Sequence, residues 1–433
     1  MHEIRSLFDS GLIKELNSKE LIPQTCISKY RLENFGLVLS HEKIPVISYP
    51  YEWTFGMLQD AGITILKVNE IARNYGYQTK DGHGLNVLFH YGTPKFVDIG
   101  SFVPLGTNKM NWMAYEEFIK YFLYPLRMWA DQSTFLARYM LSGRLNLIAH
   151  TTFYLYKYPV LRYLKASTVD KVLTNIYKFR KISLNSGLLS KKGKRIDLLS
   201  WLLRNNLLPF QSVSFAKLSR TIKRIKIKSN EKEGNSGTTF LARNSESVSS
   251  KLETIEEVLS RLQVKTVLEL GGMEGILSCA LSDQKRYDRI TYAGYNYHIV
   301  ERLYNSIKVC NITVSPLLLN FLNPINNIHH LSASIRLCSD AVLVLAEIHN
   351  LLLTERYSIH AILQVLLTYT RKFLLIEFMP LGLKGSGGSQ APSWYSIEWF
   401  RASVKIYCEV IEEVSLDVDR ILFVLKFKDE RKI

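Results

Sequence analysis

A chain of 433 residues is too long for one ordinary core and divides into two or three domains of the usual ~100–200 residues. Its hydrophobic content of 47% with 12% aromatic residues excludes an intrinsically disordered chain, and its five scattered cysteines, Cys26, Cys279, Cys310, Cys338 and Cys408, exclude a disulfide scaffold or a zinc module. The formal charge of +16 belongs to one stretch, because residues 132–230 hold 20 Lys and Arg against two acids, Asp170 and Asp197, and segregation of this kind points to an anionic partner.

The opening MHEIRSLFDSGLIKEL carries charges where a signal peptide needs an apolar core, and no uncharged run approaches the ~18–20 residues of a membrane span. The expectation is a cytosolic protein with reduced thiols. Residues 1–131 read as an α+β unit: ITILKVNEIARNYGY (63–77) and YEEFIKYFLYPLRMW (115–129) have apolar positions at helical spacing, and LNVLFHYGTPKFVDI (85–99) reads as a hairpin turning at Tyr91-Gly92-Thr93-Pro94. Residues 132–228 form a basic helical segment with cationic clusters at 191–195 and 217–228. In the second cluster Ile222, Ile225 and Ile227 interrupt the cations, as in an amphipathic helix. Such a segment suits an anionic membrane surface, a glycan or a nucleic acid, and on the first of these the protein is peripheral at the inner membrane face. Residues 229–250, rich in Ser, Asn, Glu and Gly, read as a linker.

From 251 to the end strands and helices alternate. Strands are expected at 265–272, 289–296, 315–323, 340–349 and 371–380, with helices at 276–283, 298–309, 358–371 and 394–404, and a closing pair of strands at 410–416 and 420–427. Alternation implies crossovers and a largely parallel sheet, and the closing pair implies an antiparallel end. The fold class is therefore α/β, Rossmann-like, and the arrangement resembles class I methyltransferases.

Glu269-Leu270-Gly271-Gly272-Met273-Glu274-Gly275 lies at the first strand–helix junction, where a doubly wound sheet places its ligand crevice. Gly271 and Gly272 suit a sharp turn and Gly275 a close approach to a ligand, here S-adenosylmethionine (SAM), while Glu269 is placed to receive the methionine ammonium or to orient the loop. Asn320, at the end of the third strand, is placed either to contact adenine or to cap the turn before Asn323-Pro324. His349, past the fourth strand beside Glu347, stands where a base acting on the acceptor belongs. The second strand ends in Tyr295-Asn296-Tyr297, where an acid binding the ribose hydroxyls is usual. Asn296 can still bond a hydroxyl and Tyr295 can stack on adenine.

In the N-terminal unit Asp81 and Asn86 stand five apart, a hairpin follows, and Asp98 begins Asp-Ile-Gly, a spacing that looks like the catalytic half of a protein-kinase C-lobe. There Asp81 is the base and Asn86 and Asp98 hold Mg²⁺. No GxGxxG loop or strand lysine precedes them. The unit therefore reads as a kinase-like remnant serving as scaffold or acceptor platform, with Asp81 and Asp98 capping loops.

Strings on both sides of the linker, among them SYPYEWTFGMLQDAG (48–62), KDGHGLN (80–86), PKFVDIGSF (94–102), LELGGMEG (268–275), SPLLLNFLNP (315–324) and LVLAEIHNLLL (343–353), together resemble a bacterial family of nodulation-type (NoeA-like) methyltransferases. The resemblance implies a SAM-dependent transferase acting on an oxygen or nitrogen acceptor, in a family often placed near surface-glycan functions. This chain departs from it at 238–250, which lacks the aromatics that relatives carry before the first helix, and at His349-Asn350, where relatives have two histidines. The competing reading is a non-catalytic binding protein that retains both folds.

Overall fold

The computed structural model describes residues 2–106, 112–143, 214–227, 246–272, 274–382 and 391–427. Most of the basic segment, including the cluster at 191–195, and the larger part of the linker lie outside the described residues.

The N-terminal module begins with helices α1 (His2–Asp9) and α2 (Leu12–Ser18) and the antiparallel pair β1 (Thr25–Ile27) and β2 (Leu39–His41). Helix α3 (Phe55–Asn74) starts where the Thr54 side chain accepts from the Met57 amide, and runs further toward its N-terminus than the periodicity of 63–77 predicts. Strand β3 (Tyr77–Thr79) pairs with β6 (Phe102–Pro104), enclosing the hairpin of β4 (Val87–His90) and β5 (Thr93–Phe96). The hairpin turns at Tyr91-Gly92 as expected, but the positive φ falls on Tyr91. Gly92 is small for another reason: a Cβ there would lie 2.9 Å from Ile307 Cγ2, on a helix of the C-terminal part. Residues 115–130 form one helical rod, α4 (Tyr115–Phe118) and α5 (Tyr124–Ala130) joined by a π-turn at Ile119–Leu123. The wider turn stands just ahead of Pro125, which has no amide proton to donate. Helix α6 (Thr134–Leu141) follows.

Helix α7 (Phe215–Arg224) decides how part of the basic segment is used. Its apolar face, Phe215, Leu218 and Ile222, is buried. Gln59 Nε2 of α3 donates to the Ile222 carbonyl at 2.7 Å, the Arg73 guanidinium lies 4.6 Å from the Phe215 ring centre, and Trp112 packs edge-on against Phe215. Of the isoleucines read as an apolar face, Ile222 is buried inside the protein and Ile225 and Ile227 are half-buried against the same core, while Lys217, Arg220, Lys223, Arg224 and Lys226 face solvent. No helix among the described residues is long and apolar enough to cross a membrane.

Helix α8 (Glu246–Arg261) begins inside the segment read as linker. The α/β architecture expected of the remainder is present: β7 (Thr266–Leu270), α9 (Ile276–Asp283), β8 (Arg289–Gly294), α10 (Tyr297–Cys310), β9 (Ser315–Leu318), α11 (Ala333–Leu337), β10 (Ser339–Val344), a π-turn at Asn350–Thr354, α12 (Ile359–Tyr369), β11 (Thr370–Phe378), α13 (Ile397–Lys405), β12 (Cys408–Asp417) and β13 (Arg420–Phe427). The sheet order is β12-β13-β11-β10-β7-β8-β9. Strands β7 to β11 run parallel, and β13 is antiparallel to both its neighbours. Counted from β9, the parallel strands have the 3-2-1-4-5 order of a doubly wound sheet, with its switch point between β7 and β10.

The central strands β7, β8, β9 and β10 are buried along almost their whole length, which explains their largely apolar sequences. On one face Val267, Leu343, Leu345 and Leu375 join a core with Ile255, Leu277, Leu303 and Tyr304, and that core continues into the N-terminal module through Phe89, Trp53 and Leu58. On the other face Leu268, Val342, Val344 and Ile376 pack with Leu337, Ile362, Leu366 and Phe400. The N-terminal module thus lies on the α10 side, against the β9 edge.

Candidate functional site

Apart from Met273, which lies outside the described residues, every group that the sequence assigned to the ligand crevice lies at the carboxyl ends of β7, β8, β9 and β10. Gly271, Gly272 and Gly275 have φ of +64°, +73° and +76°, so the left-handed backbone expected of a glycine bend is built. The Gly271 amide donates to the Ala293 carbonyl at 2.8 Å and extends the β7–β8 pairing past the strand end. The glycines differ in what limits them. A Cβ on Gly272 would lie 2.1 Å from the Leu345 carbonyl oxygen, one on Gly275 would lie 2.8 Å from Leu303 Cδ2, and one on Gly271 would meet only the Glu347 carboxylate, at 3.1 Å. Protein backbone, not open crevice, confines Gly272, and Gly275 is the left-handed N-cap of α9.

Glu269 is fully buried. Its Oε2 accepts from the Ser278 amide at 3.1 Å and the Ser278 hydroxyl at 2.5 Å, which fixes the start of α9 against the strand; its Oε1 has no hydrogen-bond partner. Burial pushes its pKa up to about 7, against the lowering effect of the Ser278 bonds.

Glu347, which sequence reasoning noted only as a neighbour of His349, proves central. It is 5% exposed and follows Ala346, a non-glycine residue at φ +51°, and that bend turns its carboxylate onto the Gly271–Gly272 turn. Burial raises its pKa, while hydrogen bonding from Tyr295 and from the Gly272 amide opposes the rise. Its Oε1 also lacks a hydrogen-bond partner. Tyr295 is 49% exposed and covers this carboxylate from the end of β8. Glu347 thus brings a carboxylate from the end of β10 to the end of β8, which has no acid of its own. Its signal in the sequence was an acid shortly after the apolar run Ala341–Leu345.

Asn296 caps α10, its side-chain oxygen accepting from the His298 and Ile299 amides at 3.0 and 3.4 Å. Asn320 Oδ1 accepts from Leu322 and Asn323 at 3.1 and 3.2 Å, which is the turn-capping alternative of its two readings. His349 is buried, with Nδ1 unpartnered, and burial lowers its pKa, which favours the neutral imidazole. Next to it Glu377 is held by Lys251 Nζ at 2.7 Å, Arg420 at 2.7 Å and the Ala346 amide at 2.7 Å. Burial alone would raise Glu377, but the two cations override it and keep the carboxyl below its usual pKa. This buried ion group braces the bend at Ala346.

Around the kinase-like spacing the described bonds are local to the loop, and Asp98, at the start of a short helical turn, makes no side-chain capping bond. The Asp81 carboxylate accepts from the Ser101 hydroxyl at 3.4 Å, the Asn86 carbonyl accepts from the Val97 amide at 2.9 Å, and the Asp98 carbonyl accepts from the Ser101 amide at 3.2 Å. Among the described residues no group of three or more His, Cys, Asp or Glu is arranged to hold a metal ion.

No family model matches this chain. Over 123 residues it is 28% identical to the nodulation protein NoeA of Rhizobium meliloti (strain 1021), a stretch covering 28% of this chain and 25% of that protein. The chain therefore aligns with about a quarter of the curated relative it matches. Among solved structures it is similar to PH0226 protein from Pyrococcus horikoshii OT3 (15% identity, 44% of this chain and 95% of that one, TM-score 0.35). It is also similar to a SAM-dependent methyltransferase from Aquifex aeolicus (14%, 44% and 98%, TM-score 0.33). A third is magnesium protoporphyrin IX methyltransferase from Synechocystis PCC 6803 with bound SAM (11%, 46% and 92%, TM-score 0.32). The assignment of the fold rests on the strand order and not on these likenesses.

Proposed function

We propose that this protein is a SAM-dependent methyltransferase whose cofactor lies over the Gly271–Gly272 turn. The observation that carries the reading is electrostatic: two buried carboxylates, Glu269 and Glu347, flank the turn, each with an unpartnered oxygen, and neither is ion-paired among the described residues. Uncompensated buried acids call for a cationic ligand. A dinucleotide in such a crevice sets its pyrophosphate against the loop amides, but here the Gly272 amide already faces a carboxylate, so a phosphate there meets repulsion. SAM has no phosphate and carries an ammonium and a sulfonium.

In this reading Glu269 Oε1 receives the ammonium, Glu347 with Tyr295 supplies the acceptor that the end of β8 lacks, and the glycine turn gives the backbone room. When bound, SAM supplies an electrophilic methyl group transferred in a single displacement, which needs alignment more than acid–base help. His349, neutral and unpartnered, takes the proton from the acceptor oxygen or nitrogen, and that free nitrogen favours catalysis over ligand binding alone. Following the resemblance to surface-glycan enzymes, we place the acceptor on a glycan or glycolipid precursor. The N-terminal module serves as scaffold, and the exposed cations of α7 meet an anionic partner by charge alone, so that binding falls with added salt. Calorimetry tests the central claim: micromolar SAM binding, weakened roughly tenfold or more by Glu347→Gln, supports it. No binding at millimolar SAM, or preferential binding of a dinucleotide, overturns it.

A further inference from the structure

The adenosine side of the crevice, where β8 and β9 end, is fastened to the N-terminal module by a continuous run of hydrogen bonds. The Gly271 amide of the cofactor turn donates to Ala293 O at 2.8 Å, and the Leu319 amide donates to Gly294 O at 2.8 Å. Arg138 of α6 then closes the run, its guanidinium donating to Leu318 O at 2.7 Å and to Tyr51 O at 2.8 Å. Arg138 was counted with the cations of the basic segment, yet its charge is turned inward, beside the buried Glu52–Arg336 ion pair that joins the module to α11.

Other contacts grip the same two exits. After β9, Asn327 Nδ2 donates to Ser142 O at 2.7 Å, the Leu331 amide donates to the Tyr49 hydroxyl at 3.1 Å, and the His330 ring stacks on Tyr49 with centres 4.1 Å apart. After β8, helix α10 presents Glu301 to the Gly56 amide at the start of α3, Tyr304 donates to Asp60 at 2.7 Å, and Tyr297 packs on Trp129.

A loop pinned at both ends by a separate module has few states of its own, so its shape is set by that module. We propose that the N-terminal module is a positioning part of the cofactor site, with Arg138 as its key side chain, so that docking of the module and binding of the cofactor are coupled. The proposal rests on the reading of the crevice as a SAM site. Coupling is reciprocal: if the module's grip favours SAM, SAM must tighten the grip.

Hydrogen exchange on the full-length wild-type chain tests this without relying on a variant. Saturating SAM slows exchange in 49–54 and in Thr134–Leu141, segments that do not face the glycine turn, while His2–Asp9, outside the run of bonds, is unchanged. Arg138→Met weakens SAM binding roughly tenfold, and Arg138→Lys restores part of the loss. If the wild type binds SAM and exchange in 49–54 does not change, or Arg138→Met binds SAM like the wild type, the coupling is refuted while the SAM site stands. If the wild type binds no SAM, it is the SAM site itself that fails.

Discussion

Replacing Gly272 by alanine asks whether this glycine is kept for the protein's own backbone or for its ligand. The residue sits at φ +73°, where an L side chain costs ~1–2 kcal/mol. The new Cβ would lie 2.1 Å from the Leu345 carbonyl oxygen, against roughly 3.3–3.6 Å for a comfortable carbon–oxygen approach, so β10 must retreat by about 1 Å. Leu345 is fully buried and Ala346 is tied to Glu377, so relief is hard to find, and overpacking of this kind costs ~1–3 kcal/mol. Together the expected destabilisation is roughly 2–5 kcal/mol. It is read as a lowered midpoint in urea unfolding followed by tryptophan fluorescence, with SAM affinity measured in parallel below the transition. A loss under ~1 kcal/mol with SAM binding abolished would refute the reasoning and mean that the residue is small for the ligand's sake.

Gly271→Ala presses instead on the movable end of Glu347, so its larger effect is expected in calorimetric SAM affinity. Glu269 titrates near 7 when folded and near its ordinary value when unfolded, so the folded state holds the extra proton between the two. Stability from this group is complete below about 4.5 and is lost as pH rises through about 7, by ~3 kcal/mol in all. Glu269→Gln should flatten that fall in urea midpoints measured from pH 4 to 8, and an unaltered slope counts against it. Lys251→Met removes one of two cations from buried Glu377 and is expected to cost ~3–5 kcal/mol, checked by chemical unfolding. A cost below ~1 kcal/mol would mean that Arg420 alone holds the carboxylate.

The sheet was legible because burial on both faces writes apolar runs into the chain, as in Ala341–Leu345, and because glycines punctuate the turn after β7. The closing antiparallel pair was legible because no helix separates its strands, although β12 alternates between buried and exposed residues. Local pattern could not show what distant segments do to one another. Ile222 looked like a membrane face because its partner, α3, begins far upstream, and Gly92 looked like a turn residue because Ile307 was not in view. Arg138 counted only toward the charge of the basic segment, and Glu347 only as a neighbour of His349. Each acquires its role from a group more than fifty residues away, Leu318 for one and Gly271 for the other.

The position of the N-terminal module against β9 also bears on how the chain can be divided. A parallel sheet ending in an uncovered strand offers free amides and carbonyls to any similar strand it meets, a route to aggregation. Here Arg138 takes the Leu318 carbonyl and the turn at Pro50–Glu52 packs over the same border. Cutting at the stretch before α8 to express the C-terminal half by itself would strip that cover, along with the packing over Tyr304 and Ile307, and the fragment is expected to precipitate where the intact chain does not.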